Sequence, residues 1–582
     1  MRMEKLCSSM SFYVLGLLYT TNEKIRQMKR PSLLLIALLI VLGGKAQDFL
    51  NQATVNGSFQ IDAQLYRSDA AIGITDSSIA GRKIGVNGYG NIIYSLGNFK
   101  AGMRYEAMLT PMLGFDPMQE GSGFPYLWAS YSTDFIDVTV GNFYEQFGNG
   151  LIFRSYEEWT LGYDNSMNGM RVLLNPSKGV RLKAVYGSQR FYWQKYERNN
   201  RGLVRGVDAE FSFNEILGSL EDSPLRIIVG ASAVSRYQRD ADPIYKLPEN
   251  VGSMAGRINI GLGNFTLMTE YAHKINDPSA LNNFIYKEGH ALLTSLSYAQ
   301  SGFGVVLQLK RVDNMGFKSD RAYVGNALDI NFIPPINRTH AYSLTGKYPY
   351  ATQPNGEMGM QLQIHYKIPK GSLLGGKYGT GIALNLSQVN DIARNPIHDT
   401  ILIGQPGTMG YTSDFFKMSG DIFFRDLNIE IDKRFNSKLK GIFQYMNLLY
   451  DIATIEGHAG DPVVNAHIGL VDLTYRLSSR KAVRVEAQGL FTREDKGDWA
   501  AMMVEYTIAP KWFVALSDQY NYGHPEKDQR NHYYTASAGF TRNATRLALT
   551  YGRQAEGVVC VGGVCRQVPA SSGLTITLTT NF

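Results

Sequence analysis

The sequence predicts an all-β fold, a transmembrane antiparallel β-barrel of the outer membrane with about 24 strands, within a range of about 22 to 26. Three observations predict it. Apolar and polar residues alternate with period two along most of residues 47–582, short and long connections alternate between the segments so defined, and no apolar run approaches the ~18 residues that a spanning helix needs.

Composition narrows the classes. The 582 residues are 44% apolar, 12% aromatic and 19% charged, with 3 Cys, which is too apolar for a disordered chain and too poor in cysteine for a disulfide scaffold. The formal charge of +7 comes mostly from the N-terminus. Residues 47–582 hold 51 Lys/Arg against 49 Asp/Glu, a balance that calls for no nucleic acid.

From Met28 the chain reads MKRPSLLLIALLIVLGGKAQ, with Lys29 and Arg30, an apolar run from Leu33 to Leu42, and Gly44-x-Ala46 as small residues before a cut. This predicts a signal peptide at 28–46, too short for an anchor, and a mature chain from near Gln47. Residues 1–27 fit neither an export signal nor a fold, so translation is expected to start at Met28, the alternative being an extended n-region. The remainder, 47–582, is expected to form a single barrel domain.

The alternation can be followed element by element. Val55, Gly57, Phe59, Ile61, Ala63 and Leu65 share one strand face, opposite Asn56, Ser58, Gln60, Asp62 and Gln64. Met358 to Lys367, Asp426 to Asp432 and Val483 to Phe491 alternate in the same way. A soluble sandwich also alternates, but its strands average ~5 to 6 residues, whereas these run to twice that length. Short connections at 96–98, 175–178, 262–264, 299–302, 434–438, 477–481, 508–511 and 542–545 predict periplasmic turns. Long polar stretches at 68–82, 189–202, 237–252, 390–413 and 521–531 predict external loops. Strand parity counted from both ends then requires one strand between 313 and 378. Met358–Ile368 is the stronger candidate, so Asp313–Glu357 becomes one long external loop. Such a barrel is wide enough to conduct unless it is plugged, and strands begin too soon after residue 47 for a separate plug domain. The closing segment, GLTITLTTNF, ends on Phe582, and this terminal aromatic resembles the signal read by the outer-membrane assembly machinery.

The least strand-like early segment is 141–171, the connection between the fifth and sixth strands and so the third external loop. In porins this loop narrows the lumen. Here it offers Glu145, Glu157, Glu158 and Asp164 against Arg154 and Arg171, with Tyr144, Tyr156 and Trp159 interleaved. Opposed charges in a narrowed pore select solutes by charge, and aromatic faces suit planar contacts, so a cation or neutral-solute preference is expected. An exposed rim loop with turn-forming Gly and Asn is the alternative. Cys560-Val-Gly-Gly-Val-Cys565 predicts a hairpin tip with Gly562 and Gly563 as the turn and Cys560 opposite Cys565, close enough for a disulfide in an exported protein. Trp128, Trp512, Tyr445 and Tyr475 are expected in the aromatic girdles, the alternative being lumenal stacking on a sugar.

Enzyme signatures are missing: there is no HExxH, no GxSxG and no P-loop. The trio His458, Asp461 and His467 reads as solvated loop residues, and no catalytic residue, cofactor or metal is expected. The run GxFYEQFGxGLxxRxYE from Gly141, then LGxDNS and GxRV, together with YATQPNGEMG at 350–359 and CVGGVCRQVPASSG at 560–573, resembles an uncharacterised family of Bacteroidota outer-membrane barrel proteins of unknown function. More loosely, the third-loop region resembles alginate-export and substrate-specific porins. The expected function is a porin-like channel that passes a polar solute by diffusion, with 142–170 as its constriction. The alternative is a plugged barrel that is a partner in outer-membrane protein assembly, secretion or surface-protein attachment, with Asp313–Glu357 as a cap or docking surface. Its expected partners are outer-membrane lipids, the assembly machinery and a polar solute or surface protein.

Overall fold

The structure, a computed structural model, describes residues 53–79, 82–193, 202–561 and 564–582. The predicted signal peptide at 28–46, residues 1–27 and the two-glycine turn at 562–563 lie outside the described residues. Residues 56–93 and 99–582 form one compact unit, and among the described residues the second unit holds only 53–55 and 94–98.

The large unit is a closed antiparallel barrel of 24 strands. Numbered in chain order, they are β1 (Thr54–Tyr66), β2 (Ile84–Leu96), β3 (Phe99–Thr110), β4 (Gly121–Ser132), β5 (Ile136–Phe143), β6 (Met167–Ser177), β7 (Val180–Gln189) and β8 (Leu203–Ser212). There follow β9 (Leu225–Tyr237), β10 (Asn250–Leu262), β11 (Phe265–Lys274), β12 (Gly289–Gln300), β13 (Phe303–Asp313), β14 (Gly356–Ile368), β15 (Thr380–Asn395) and β16 (Thr412–Arg434). The last eight are β17 (Leu439–Asp451), β18 (Val463–Arg476), β19 (Lys481–Phe491), β20 (Trp499–Ile508), β21 (Trp512–Tyr520), β22 (His532–Arg542), β23 (Thr545–Gln554) and β24 (Ser571–Asn581). Each pairs with its sequence neighbours, and β24 returns to β1 in the register Ser58 opposite Asn581 to Tyr66 opposite Gly573. The Phe582 amide donates to the Gly57 carbonyl and the Gly57 amide to the Phe582 carbonyl, both at 2.9 Å. Gly57 is needed there because a Cβ would strike the Phe582 ring.

Burial runs opposite to that of a soluble protein. On β16, Leu427 and Ile429 are 41% and 39% exposed, while Asp426 and Asn428 between them are 0% and 1%. Val140, Val207, Met502, Val514 and Leu516 are likewise exposed on the outer face. The apolar half of each alternating strand therefore faces out and the polar half lines the lumen, the arrangement that a lipid surround stabilises. Trp512, Tyr445 and Tyr475 sit on this outer face. Trp128 does not. It lies on the inward parity of β4 opposite Gly102, and a Cβ at Gly102 would strike its indole.

The short and long connections segregate to opposite ends of the barrel. Three differences from the sequence expectation have local causes. Two short-end connections, 213–224 and 369–379, are longer than turns. In the first, the Asn214 side chain donates to the carbonyls of Leu220 and Leu225 and accepts from the Ile227 amide, closing the loop on itself. The expected loop 390–413 shrinks to 396–411 because bulged pairing continues from Asn390 to Asn395 along a 23-residue β16. The third loop contracts to 144–166, since β5 and β6 pair as far as Phe143 opposite Met167. This places Arg171 on β6 rather than in the loop. At the hairpin 557–568, Cys560 is in register with Cys565, and Cys565 is disulfide-bonded.

The long connection expected at Asp313–Glu357 runs between β13 and β14. Its residues 314–355, the seventh long loop, fold into the lumen. There Met315, Phe317, Ile330, Ile336, Leu344 and Tyr350 are all buried. Period-two reasoning sees only strands, so the inward path of a loop without strand pairing leaves no signal in the alternation.

Candidate functional site

The long-loop half of the lumen is filled by the third and seventh loops. The third loop enters the barrel at Tyr144 and its tip, Gly148-Asn149-Gly150, docks on β11. The Glu270 carboxylate accepts from the Asn149 amide at 2.7 Å and from its side chain at 2.8 Å. Gly148 permits that approach, because its φ is +51° and a Cβ would lie 2.5 Å from the same carboxylate. Behind the tip, Phe147, Leu151, Ile152 and Phe153 join an apolar core with wall residues from Phe143 on β5 to Val312 on β13.

Charge holds the rest of the loop to the wall. Arg104 on β3 is 3% exposed, lies 2.7 Å from Glu106, and reaches Glu157 and Asp164. Arg190 bridges Glu106 at 2.7 Å and Asp164 at 2.6 Å. Tyr144 donates to Glu157 at 2.9 Å. Glu145 accepts from Arg171 and Lys183, both at 2.7 Å, and Arg171 also meets Asp137. Trp159 stacks on Tyr89 with centroids 4.4 Å apart. Arg154 lies between the rings of Tyr156 and Phe332, and Glu158 caps the short turn at Thr160. The nine residues singled out from the sequence therefore do converge inside the barrel, yet most are engaged with the wall. Their partners Arg104, Glu106, Lys183, Arg190 and Glu270 were missed, although each occupies an inward parity position or the start of a loop, the one signal that points to them.

The seventh loop is zipped to the third through Arg154 N to Ile330 O and Phe332 N to Gly150 O, both 2.9 Å. It then crosses to the opposite wall. Arg338 donates to Asn428, His340 lies 2.8 Å from Asp426, Tyr342 donates to Asp472, and the Leu344 amide donates to Gln488. Ile336, Leu344, Tyr348 and Tyr350 form a second apolar core with wall residues from Val389 on β15 to Trp499 on β20. Polar anchors at separate strands fix the path, and the two cores supply the burial.

One arc is free of these two cores, although at its long-loop end the first long loop packs on β1, where Tyr66 is buried with Ile72, Ile74 and Ile79, and Asp69 pairs with Arg553 at 2.6 Å. Among the described residues, no buried member of either core comes from β21 to β24 or from β1, and only half-buried Tyr533 touches the edge. This arc presents hydroxyls and amides: Ser517 bonds Thr535 at 2.6 Å, Ser537 bonds Thr550 at 2.9 Å, and Gln64 donates to Ser571 at 3.1 Å. A cavity of about 480 Å³ lies between it and residues 343–347 of the seventh loop, next to one of about 510 Å³ lined by Lys347, Glu456, Lys496 and Glu556. A third, of about 410 Å³, separates the two loops from the disulfide hairpin. Toward the short-turn end the wall opens: along β16 the inward side chains pass from Asp426 at 0% exposed through Glu430 at 22% to Asp432 at 44%. The lumen is thus open toward the short-turn end and packed with loops toward the other.

Two acidic anchors within the third loop, Asp164 and Glu145, are acid-resistant. Burial raises the Asp164 carboxyl, but Arg190 and Arg104 more than reverse this and hold it below its ordinary value. Burial likewise raises Glu145, and hydrogen bonds from Arg171 and Lys183 bring it below. A carboxylate so depressed stabilises the docked loop above its ordinary pKa of about 4 and loses that contribution only as pH falls through the lower value. Attachment of residues 156–166 through Asp164, followed by limited proteolysis, is expected to be unchanged from about pH 8 to about pH 5, with release only below about pH 4. A transition centred near neutrality would contradict this.

The remaining sequence candidates separate. His458 lies 3.6 Å from Asp461, whereas His467 faces outward on β18 and pairs with Tyr445 at 2.8 Å.

A family model described as "Family of unknown function (DUF6029)" matches residues 28–582. No curated protein matches the chain. Among solved structures, the chain is similar to the P pilus usher (PapC) translocation pore at 8% identity and TM-score 0.42, covering 90% of this chain and 99% of that one. It is also similar to the siderophore receptor PirA from Pseudomonas aeruginosa, at 9% identity and TM-score 0.39, and to the copper transporter OprC, at 11% and 0.37, each covering 91% of this chain and 80% of the other.

Proposed function

We propose that this chain, which belongs to the DUF6029 family of unknown function, is an outer-membrane barrel that passes a small polar solute by diffusion along the arc formed by β21 to β24 and β1. Short turns face the periplasm and long loops the exterior in this reading. The observation that carries it is the arc of hydroxyl and amide side chains that the third and seventh loops leave free, with cavities of about 480 and 510 Å³ beside it and an open vestibule beneath. Hydroxyls and amides exchange hydrogen bonds with a neutral polar solute, and the charged groups lining the cavities, among them Lys347, Arg553 and Glu556, are of both signs, so charge selection is weak. The third loop narrows the opposite side, and the seventh sets the width of the gap. The reading needs no catalytic step.

The test is conductance and solute flux through residues 47–582 in planar bilayers and liposomes, for the parent, Thr550→Trp and Ser517→Trp. An indole at either position fills much of the gap, so conductance is expected to fall to less than about half. Parent-like conductance in both variants would exclude the arc as the route. The two apolar cores inside the lumen favour a second reading, a self-plugged barrel that binds a protein in assembly, secretion or surface attachment. An electrically silent parent, shown to be folded, would support that reading instead.

A further inference from the structure

The outer face of the barrel carries a group of residues outside the lumenal machinery. His273 on β11 and His290 on β12 are directly opposite in register, at the long-loop ends of their strands. Their neighbours Ala272, Lys274 and Ala291 are buried toward the lumen, which turns both imidazoles outward. The two Nδ1 atoms are 3.3 Å apart. Glu288, in the loop just before β12, places a carboxylate oxygen 3.9 Å from His273 Nε2. The Tyr271 hydroxyl lies 2.9 Å from His290 Nδ1. One ligand atom from each of His273, Glu288 and His290 can be chosen so that all three lie within 4.8 Å of one another.

We propose that His273, His290 and Glu288 bind a divalent transition-metal ion such as Zn²⁺ at the outer rim of the barrel. Two nitrogens each ~2.0–2.1 Å from a tetrahedral zinc stand ~3.3–3.4 Å apart, so the imidazoles already have the separation the ion requires. The strand pairing fixes that spacing in advance, and the exposed Glu288 carboxylate, now 3.9 Å from the other ring nitrogen of His273, swings toward the Nδ1 pair to complete three ligands. Water takes the fourth position, within reach of the Tyr271 hydroxyl. Two imidazoles and one carboxylate suit Zn²⁺, Cu²⁺ or Ni²⁺ and disfavour Mg²⁺ and Ca²⁺, which take oxygen ligands. Asp313, opposite His290 on β13, is not a ligand. Its carboxylate is buried and already accepts from Tyr411 at 2.7 Å and Ser413 at 2.5 Å. The ion would tie β11, β12 and the loop between them together, on the opposite side of the wall from the solute route, so the site stands whether or not the transport reading does.

The competing arrangement is a bare hydrogen bond between one protonated and one unprotonated imidazole, and titration separates the two. Zn²⁺ and Co²⁺ are titrated into the folded 47–582 barrel in detergent, following heat by calorimetry and the visible absorption of bound Co²⁺. One ion per chain is expected, displaced by neither Mg²⁺ nor Ca²⁺. His273→Ala and His290→Ala should each abolish binding, and Glu288→Gln should weaken it about tenfold. His467→Ala removes another outward Tyr–His pair, 2.8 Å from Tyr445, and should leave binding unchanged. All three His variants lie on an exposed or half-exposed face, so barrel folding, followed by heat-modifiable migration, is retained. No uptake by the parent, or uptake that survives His273→Ala and His290→Ala, overturns the proposal.

Discussion

Excising residues 337–349 from the seventh loop is expected to raise single-channel conductance by roughly fivefold, because a barrel of ~24 strands encloses more than the ~16 to 18 strands that already leave an aqueous channel. These residues form the strap that crosses from the third loop to the far wall, carrying Arg338, His340, Tyr342 and Leu344 onto β16, β18 and β19. Their removal merges the cavities beside residues 343–347 with the vestibule below. The barrel wall itself is closed by strand pairing and does not depend on the strap. A deletion can also disturb assembly. A second variant therefore keeps the loop length: Leu344→Ser combined with Tyr348→Ser removes two buried members of the second core. Truncating each buried side chain costs about 2–5 kcal/mol of docking, enough to populate an undocked strap. That variant is expected to flicker between a parent level and a larger one. If both proteins fold and conduct as the parent does, the seventh loop is not the barrier.

What the sequence disclosed and what it withheld divide along one physical line. Period-two alternation reads the wall directly, since each strand residue faces either lipid or lumen. Asp426, Asn428, Gln361 and Glu486 are accordingly buried at inward positions, while Leu427, Ile429 and Met360 face out. Parity did the same for connectivity, placing Met358–Ile368 as a strand and 340–347 in a loop, as the structure has it. The lumenal filling obeys no such period. Ile336, Leu344, Tyr348 and Tyr350 lie at irregular spacings, and their apolar partners come from strands over a hundred residues away or close by, as with Trp499 and Val389. Inward apolar wall residues such as Val204, Val234 and Val464 were the available clue, since a water-filled pore has no use for them. Trp128 falls on the lumenal alternative rather than in a girdle, because an aromatic near a strand end belongs to a girdle only if its parity is outward. The two imidazoles of β11 and β12 are seventeen residues apart in the chain and become neighbours only through register.

Replacing Arg104 by Met is expected to release the third loop and to shift the lumen toward cation selectivity. Arg104 is 3% exposed and is shared by Glu106, Glu157 and Asp164, with Arg190 as the other cation of the cluster. Removing it leaves three carboxylates to one Arg in a site from which water is largely excluded, a loss of about 3–5 kcal/mol in a buried pair. The loop has two other attachments, at Glu145 and at Glu270, so the expected result is partial release of 156–166 and retention of the tip. Proteolysis within 156–166 should accelerate at least about tenfold, which is less than the full loss would allow. The reversal potential in a salt gradient should move toward the cation value, since the wall has lost one positive charge and kept its acids. Arg104→Lys, which retains the charge but not the fork, is expected to keep the parent selectivity while cleavage still accelerates, because an ammonium cannot meet three carboxylates in fixed directions. The Arg190→Met variant should move both readouts in the same sense as Arg104→Met. Parent-like cleavage and selectivity in Arg104→Met, with the barrel shown to be folded, would mean that the apolar core around Phe147 and Phe153 alone holds the third loop, and that the buried charges serve the wall rather than the loop.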